Sequence, residues 1–288
     1  MSSTLSKRFG RSADITKMGL AIACVATFAS MLSTSIAHAG FVESVSIETV
    51  DQGTAHSPPA LIRISTPTFK AGAGEQNTLT LTRSGKDKYL VRDLTSPLVA
   101  GPGCTTVDAN TASCDILNTS NVVADTSDQD DTITIEGKDT SASIDAGSGS
   151  DVITDRDGTS TLTGGGGGHD QINAGGGDDT LSDGDSSSAF DNDILDGGSG
   201  TDTIKSYEKR TDPVTIDLGS GGPAGQQGEN DQIANAESAY GGLGSDTLTG
   251  ALGNPSDITG TAYSKLLGGA GDDLLTAAPL AAATALAP

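Results

Sequence analysis

A nine-residue period constrains the fold of this chain more than any other feature of its sequence. The repeated pattern is Gly-Gly-x-Gly-x-Asp-x-U-x, where U is a large apolar residue. It is complete in four segments, at residues 165–173, 197–205, 241–249 and 268–276. Two more segments, 146–154 and 174–182, have Ala in place of the first Gly. A fixed short period of this kind indicates a solenoid, in which copies of one small unit stack on one another.

The apolar residue at position eight of the pattern keeps its register over most of the second half of the chain. The residues of this ladder are Ile144, Ile153, Leu162, Ile172, Leu181, Leu195, Ile204, Leu248, Ile258, Leu266 and Leu275. A strand of about three residues and a turn of about six form half a coil, so two nonapeptides close one coil. The ladder then points inward and fills a thin core between two short parallel sheets. The pattern predicts an all-β fold, and no helical periodicity follows Ala39.

The charge of the chain limits its partners. Lys and Arg total 16 against 38 Asp and Glu, which gives a net charge of −22 at pH 7. Such a chain repels nucleic acid and anionic membrane surfaces and attracts cations. Composition alone also fits a disordered acidic linker rich in Gly. The regular ladder argues against that alternative when bound cations neutralise the carboxylates, whereas without cations we expect the carboxylates to repel one another and the repeats to be disordered.

The fixed Gly and Asp positions favour calcium as the bound cation. Gly adopts positive φ at little cost, so the turn carbonyls can face a common centre. The Asp at position six adds a carboxylate at the edge of the same turn. Ca²⁺ takes six to eight oxygen ligands in a flexible geometry, whereas Mg²⁺ demands a tight octahedron and keeps its waters. Thiolate-bound metals are excluded because the repeats contain no cluster of Cys or His.

These segments resemble the RTX family of calcium-binding nonapeptide repeats, over roughly residues 131–276. The resemblance implies a right-handed parallel β-roll that holds several Ca²⁺ ions between successive turns on the same side. The carboxylates that it implies as ligands are Asp151, Asp170, Asp179, Asp193, Asp202, Asp246 and Asp273. The Gly carbonyls that it implies are those of Gly147, Gly149, Gly166, Gly168, Gly175, Gly177, Gly198, Gly200, Gly242, Gly244, Gly269 and Gly271.

The chain departs from the family pattern at several places. Ser160 stands where Asp belongs, and residues 183–192 and 206–240 interrupt the array. Within the second gap, Asp231-Gln232-Ile233 is interpreted as a degenerate coil, and the acidic residues Glu229 to Asp231 as part of a solvated loop. His169 occupies a free position of its repeat, and we expect it to be a solvated turn residue because calcium prefers oxygen.

The N-terminus is typical of an export signal. A basic region, an apolar stretch from Met18 to Ile36 and the small-residue site Ala37-His38-Ala39 follow in that order. We expect cleavage after Ala39 and an extracellular protein without stable membrane insertion, and an uncleaved anchor is the alternative. Cys104 and Cys114 are then expected to form a disulfide, since a zinc site would need more ligands than this pair offers.

The chain therefore divides into a signal peptide (1–39), a β-rich segment (40–130), the interrupted roll (131–276) and a disordered tail (277–288). A looser resemblance to the lead-in of such repeats in exported bacterial proteins suggests that residues 71–130 cap the solenoid. No zinc-protease or serine-hydrolase motif is present, so we expect no enzyme. The predicted function is extracellular calcium binding coupled to folding, with a structural or surface role. The alternatives are a non-catalytic remnant or accessory module of a secreted RTX hydrolase, or an adhesin.

Overall fold

The computed structural model describes residues 39–51, 60–117, 121–184, 191–219, 221–251 and 265–276. The predicted signal peptide up to His38, Ile258 of the ladder and the predicted tail lie outside these residues. The described part of the chain contains strands and no helix, and so it holds no helix that could span a membrane.

Within the described ranges, twenty-three strands form two sheets. In chain order the first twelve are β1 (Gly40–Asp51), β2 (Ala60–Lys70), β3 (Thr78–Arg83), β4 (Lys88–Asp93), β5 (Leu98–Ala100), β6 (Cys104–Asp108), β7 (Thr111–Asp115), β8 (Asn121–Asp125), β9 (Thr132–Glu136), β10 (Ser141–Gly147), β11 (Val152–Thr154) and β12 (Thr161–Gly165). The others are β13 (Gln171–Asn173), β14 (Thr180–Ser182), β15 (Ile194–Asp196), β16 (Thr203–Ile204), β17 (Val214–Asp217), β18 (Pro223–Gln226), β19 (Asp231–Ala234), β20 (Ser238–Tyr240), β21 (Thr247–Thr249), β22 (Lys265–Leu267) and β23 (Leu274–Thr276).

From β8 to β17, and again from β19 to β23, the chain alternates between the two sheets, as a roll requires. Sheet one has the order β22-β20-β16-β14-β12-β10-β8-β2-β1-β5. Sheet two has the order β23-β21-β17-β18-β19-β15-β13-β11-β9-β3-β4-β7-β6. Every pair between β2 and β22 in sheet one is parallel, and so is every pair from β3 through β9 to β19 in sheet two. The predicted parallel β-roll is confirmed.

The core of the roll is the ladder of position-eight residues, stacked in one column per sheet. The prediction that the whole ladder points inward is wrong for its last member, since Leu275 is 48 % exposed in the terminal strand β23. Ile144, Leu162 and Leu181 are paired neighbours in sheet one, and each is at most 2 % exposed. Ile153 and Ile172 are neighbours in sheet two and are equally buried. Burying each of these side chains contributes about 1.5–3 kcal/mol to the free energy of folding. The stabilisation is therefore spread along the ladder rather than concentrated in one cluster.

Antiparallel strands close the N-terminal end of the roll. β1 pairs with β2 in sheet one, and β4, β7 and β6 extend sheet two beyond β3. Two large aromatic side chains of this end, Phe69 and Tyr89, are fully buried. Cys104 and Cys114 pair across β6 and β7 and form the predicted disulfide.

The second interruption of the array is shorter than the sequence suggests. β19 pairs with β15, and β20 pairs with β16, so residues 231–240 rejoin both sheets. The interpretation of Asp231-Gln232-Ile233 as a degenerate coil is therefore confirmed. The inserted part, residues 206–230, contains β17 and β18, and β18 is antiparallel to both of its neighbours in sheet two. We call this segment the insert.

Candidate metal sites at the turn edges

Two rows of turns line opposite edges of the roll. The first edge holds the turns that lead from sheet one to sheet two, at residues 72–77, 126–131, 146–151 and 165–170, and the described ends of the next connection, residues 183–184 and 191–193. The second edge holds the turns that lead back, at residues 137–140, 155–160, 174–179, 197–202 and 235–237. Because consecutive strands of each sheet are in register, equivalent residues of these turns stack in columns.

Glycine is required in these turns by both backbone conformation and space. Gly149 has φ +148°, and a Cβ there would lie 1.9 Å from the carbonyl oxygen of Gln129 in the turn below. Gly200 has φ +142°, and its Cβ would lie 1.6 Å from the carbonyl oxygen of Gly177. No side chain fits at such distances, so the position-four glycines allow the carbonyl groups of successive turns to stack.

The remaining glycines predicted as carbonyl ligands also stack in these columns, with one shift of register. Gly198 lies over Gly175, and Gly269 lies over Gly242. In the turn that ends at Asp170, however, Gly165 lies over Gly147, while the predicted residue Gly166 donates its N–H to the Gly147 carbonyl. This turn contains one extra residue, which explains the ten-residue step between Leu162 and Ile172. The other predicted glycines stack in the structure as Gly149 with Gly168, Gly177 with Gly200, and Gly244 with Gly271.

The position-six carboxylates form a continuous column along the first edge. The Oδ1 atom of each Asp accepts a hydrogen bond from the backbone N–H of its counterpart in the turn before it. The successive donors and acceptors are Asn77 to Asp131 (2.6 Å), Asp131 to Asp151 (2.7 Å), Asp151 to Asp170 (2.9 Å), Asp170 to Asp193 (2.7 Å) and Asp193 to Asp231 (2.9 Å). One oxygen of each carboxylate therefore holds the turns together.

The second edge has the same arrangement. The N–H of Ser160 bonds Asp179, that of Asp179 bonds Asp202, and that of Asp202 bonds Glu237, at 2.7–2.8 Å. Ser160, which replaces the expected Asp, donates its hydroxyl to the Asp155 carboxylate. Asp155 thus brings a carboxylate to the turn in which the repeat pattern lacks one.

The other carboxylate oxygen is what makes these columns fit calcium. The Oδ2 atoms of Asp131, Asp151, Asp179 and Asp202 are buried and have no hydrogen-bond partner. Each of these side chains is at most 1 % exposed. A buried anionic oxygen without a partner is costly unless a cation binds it. Stacked carboxylates and turn carbonyls offer the oxygen-only environment that Ca²⁺ prefers.

Burial raises the pKa of the carboxyls in these columns, because it disfavours the charged form. The pKa rises to about 8 for Asp170, to about 7 for Asp131, Asp193 and Asp202, and to about 6 for Asp151, Asp179 and Asp231. Backbone N–H donors oppose the rise, and neighbouring carboxylates such as Asp151 beside Asp170 add to it. Strongly shifted carboxyls that lie together in one column indicate a functional site rather than a solvated face.

A third stack forms beyond the insert. The Asp246 N–H donates to Asp273 at 2.9 Å, so the two predicted residues are brought together. On its other side Asp246 accepts the N–H of Val214, and Gly242 lies over the carbonyl of Arg210. The turn at Asp246 therefore rests on the insert rather than on another repeat.

The insert supplies its own cation to the end of the first-edge column. The Arg210 guanidinium donates from Nη1 to both oxygens of Glu229 at 2.6 Å and from Nη2 to Asp183 at 3.3 Å. The Tyr207 hydroxyl donates to Asp231 Oδ2 at 2.7 Å. Oxygens of Asp183, Glu229 and Asp231 lie within 4.8 Å of one another.

The interpretation of Glu229 to Asp231 as a solvated loop is therefore wrong for both acidic residues, although Asn230 between them is exposed. Glu229 is 8 % exposed and Asp231 is fully buried. The sequence showed an acidic cluster, but its countercharge lies 19 residues earlier, and only the fold joins the two. His169, in contrast, is exposed as predicted.

Sequence reasoning missed five carboxylates of these columns. They are Asp131, Asp155, Asp183, Asp231 and Glu237. A signal was present for two of them, since Asp131 and Asp231 each lie two residues before a ladder-type apolar residue, Ile133 and Ile233. The others had no fixed place in the nonapeptide.

Comparison with known families agrees with this geometry. The model of the RTX calcium-binding nonapeptide repeat matches the chain in four copies, at residues 145–181, 164–186, 189–205 and 236–255. No curated protein matches the chain. The predicted repeat family is thus confirmed, and repeats of this family bind Ca²⁺ ions.

Proposed function

Because the chain carries RTX calcium-binding nonapeptide repeats, we propose that it is an exported protein that binds several Ca²⁺ ions between stacked turns and folds as it does so. The observation that carries the proposal is the set of buried, unpartnered Oδ2 atoms in both edge columns. The ligands would be the position-six carboxylates from Asp151 to Asp273 with carbonyls of the stacked glycines. Asp131, Asp155 and Glu237 would extend the columns beyond the repeats.

Coupling of folding to binding follows from charge. The columns bring together carboxylates that the described Lys and Arg side chains do not neutralise, apart from those that Arg210 contacts. The thin ladder core must also offset the ordering entropy of many glycines. Bound calcium removes the repulsion, so the free energy of binding becomes free energy of folding.

The first experiment is a far-UV circular dichroism titration of residues 40–288 with CaCl₂, with MgCl₂ as the control. We expect a transition from coil to β with calcium and none with magnesium. Asp170→Asn keeps the shape of the side chain but removes its charge, so it should raise the calcium concentration at the midpoint. Asp87→Asn, in an exposed turn, is the matched control and should leave the midpoint unchanged. A chain that stays folded in excess chelator contradicts the proposal.

Export is part of the same proposal. β1 begins at Gly40, directly after the proposed cleavage site, so the mature chain would start with its first strand. N-terminal sequencing of the protein from the culture medium should begin at Gly40. A full-length chain that stays with the membrane fraction would favour the uncleaved anchor instead.

The role outside the cell that we propose is structural rather than catalytic. RTX repeats are typically non-catalytic, and the buried carboxylates described above are engaged in stacking the turns. A stiff calcium-loaded roll suits a spacer, matrix component or adhesin, and an accessory module of a hydrolase is the alternative. Fractionation of the producing cells separates these possibilities, because a surface component remains cell-bound in calcium and is released by chelator.

A further inference from the structure

The turn of residues 72–77 belongs to the first edge although it carries no repeat signature. It links β2 to β3 and stacks on the turn of residues 126–131. The Gly74 N–H donates to Asp128 at 2.6 Å, and the Asn77 N–H donates to Asp131 at 2.6 Å. This stack lies outside every segment that matches the family model.

Glu75 places a carboxylate where the repeats place their position-six Asp. In the repeat turns the Asp side chain folds back over the glycine that opens the turn. A Cβ on Gly164, for example, would lie 2.3 Å from Asp170 Oδ2. In the turn of residues 72–77 the Glu75 carboxylate takes this place. A Cβ on Gly72 would lie 3.1 Å from Glu75 Oε1, and the Gly72 N–H donates to Glu75 Oε2 at 2.8 Å. Glu75 therefore supplies the negative charge that Asn77 lacks at position six.

Three oxygens of this stack are buried and lack a partner. They are Glu75 Oε1, Asn77 Oδ1 and Asp131 Oδ2, on side chains that are at most 2 % exposed. The adjacent Asp93 does not share this need, because its Oδ2 accepts the Asn77 side-chain amide and its Oδ1 accepts the Thr78 N–H. The stack thus holds two buried carboxylates with free oxygens and one free amide oxygen.

At the opposite end of the same column, a comparably buried glutamate, Glu229, is neutralised by a cation. Glu229 lies in the hairpin turn between β18 and β19 and accepts the Gln226 N–H at 2.8 Å, as Glu75 accepts the Gly72 N–H. At that end the Arg210 guanidinium bonds both oxygens of Glu229. Among the described residues Arg210 is the only buried Lys or Arg, so no equivalent cation from that part of the chain reaches Glu75.

We propose that a calcium ion binds at Glu75, Asn77 and Asp131, in a site that lies ahead of the nonapeptide array. All three free donors are oxygens, two of them from carboxylates, which is the donor set that Ca²⁺ takes. The ion would neutralise Glu75 as Arg210 neutralises Glu229, and it would join the N-terminal strands to the first coil of the roll. This site is additional to those proposed at the repeats.

The test counts calcium ions bound to residues 40–288 by equilibrium dialysis at saturating calcium. Glu75→Gln should bind one ion fewer per chain than the unmodified protein, and Asp87→Asn should bind the same number. Glu75→Gln should also lower the melting temperature at saturating calcium, because a ligand is lost. An unchanged count, or a higher melting temperature after removal of an unneutralised buried charge, would overturn the inference.

A second variant keeps the test decisive if Glu75→Gln does not fold. Glu75→Asp retains the carboxylate on a shorter side chain, so it should keep the full number of ions but need more calcium to fill the site. An unchanged calcium dependence would count against the site. Neither result depends on the repeats, whose calcium-driven transition is measured independently in the unmodified chain.

Discussion

The repeat turns and the insert meet the same physical problem with different cations. In both regions, carboxylates are buried at the first edge of the roll. In the repeat turn of residues 146–151, Asp151 has one oxygen without a partner in the protein. In the insert, Tyr207 and Arg210 from the chain itself contact the carboxylates of Asp231 and Glu229. The array can therefore be interrupted without breaking the sheets, provided that the insert brings its own charge.

The pH dependence of the calcium-free protein should be the strongest effect. It tests whether the repeats need calcium because their carboxyls are charged. In the calcium-free folded state burial raises the pKa of these carboxyls from 3.8 to between about 6 and about 8. The stability that protonation provides is therefore complete below the unfolded pKa and is lost as the pH rises through the folded values. We expect calcium-free protein to be coil at pH 8 and to gain β structure at pH 5, as measured by far-UV circular dichroism. More β structure at pH 8 than at pH 5 would contradict this explanation.

The next effect concerns the internal cation of the insert. Arg210→Met leaves Glu229 buried without a countercharge, which should cost about 3–5 kcal/mol of unfolding free energy in calcium-saturated protein. Urea denaturation measures the loss. Lys88→Met is the control, because both side chains of its ion pair with Asp115 are more than half exposed. An exposed pair of this kind should contribute at most about 1 kcal/mol. Equal losses for the two variants would show that Arg210 does not act through charge.

A third test separates close stacking from backbone conformation in the repeats. Gly200→Ala combines positive φ with a clash against the Gly177 carbonyl. It should therefore cost about 2–4 kcal/mol. Gly74 also has positive φ, but a Cβ there would meet only open space. Gly74→Ala should therefore cost only about 1–2 kcal/mol.

Thermal unfolding in saturating calcium compares these two glycine variants. If Gly74→Ala is the more harmful substitution, close stacking of the carbonyls is not what requires glycine.

The smallest expected effect concerns the hydroxyl group of Tyr207 in the insert. Tyr207→Phe removes the hydrogen bond to Asp231 Oδ2. The loss should cost about 1–2 kcal/mol, measured by urea denaturation in calcium. Tyr240→Phe keeps the ring that lies 5.1 Å from Lys205 Nζ and should have almost no effect. An unchanged free energy of unfolding in Tyr207→Phe would mean that another group bonds Asp231 Oδ2.

Most of the roll could be predicted from the sequence because its contacts are local and periodic. Each repeat carries its own turn glycines, its own carboxylate and its own core residue. Ile153 and Ile172 therefore had to stack in one sheet, and Leu162 in the other, once the period was recognised. The disulfide was also predictable, since Cys104 and Cys114 are the only two cysteines after the predicted signal peptide.

The sites at the two ends of the first-edge column could not be predicted in this way. At one end, the turn that contains Glu75 meets Asp131 through Asn77, which is 54 residues away from Asp131 in the sequence. At the other end, Arg210 and Asp183 are separated by 27 residues. The residues between these partners include long stretches without the nonapeptide pattern, so no repeat spacing in the sequence joins them.

The repeat family, the β-roll and the calcium chemistry could be read from the sequence alone, because a short-range period encodes all three. Where the column of carboxylates begins and ends, and which of its members the chain itself neutralises, depends on tertiary contacts. The physical reason is that electrostatic pairing depends on distance in space. Glu229 looked like part of a solvated acidic loop until the fold placed Arg210 against it, and Glu75 had no assigned role until the fold stacked its turn on Asp131.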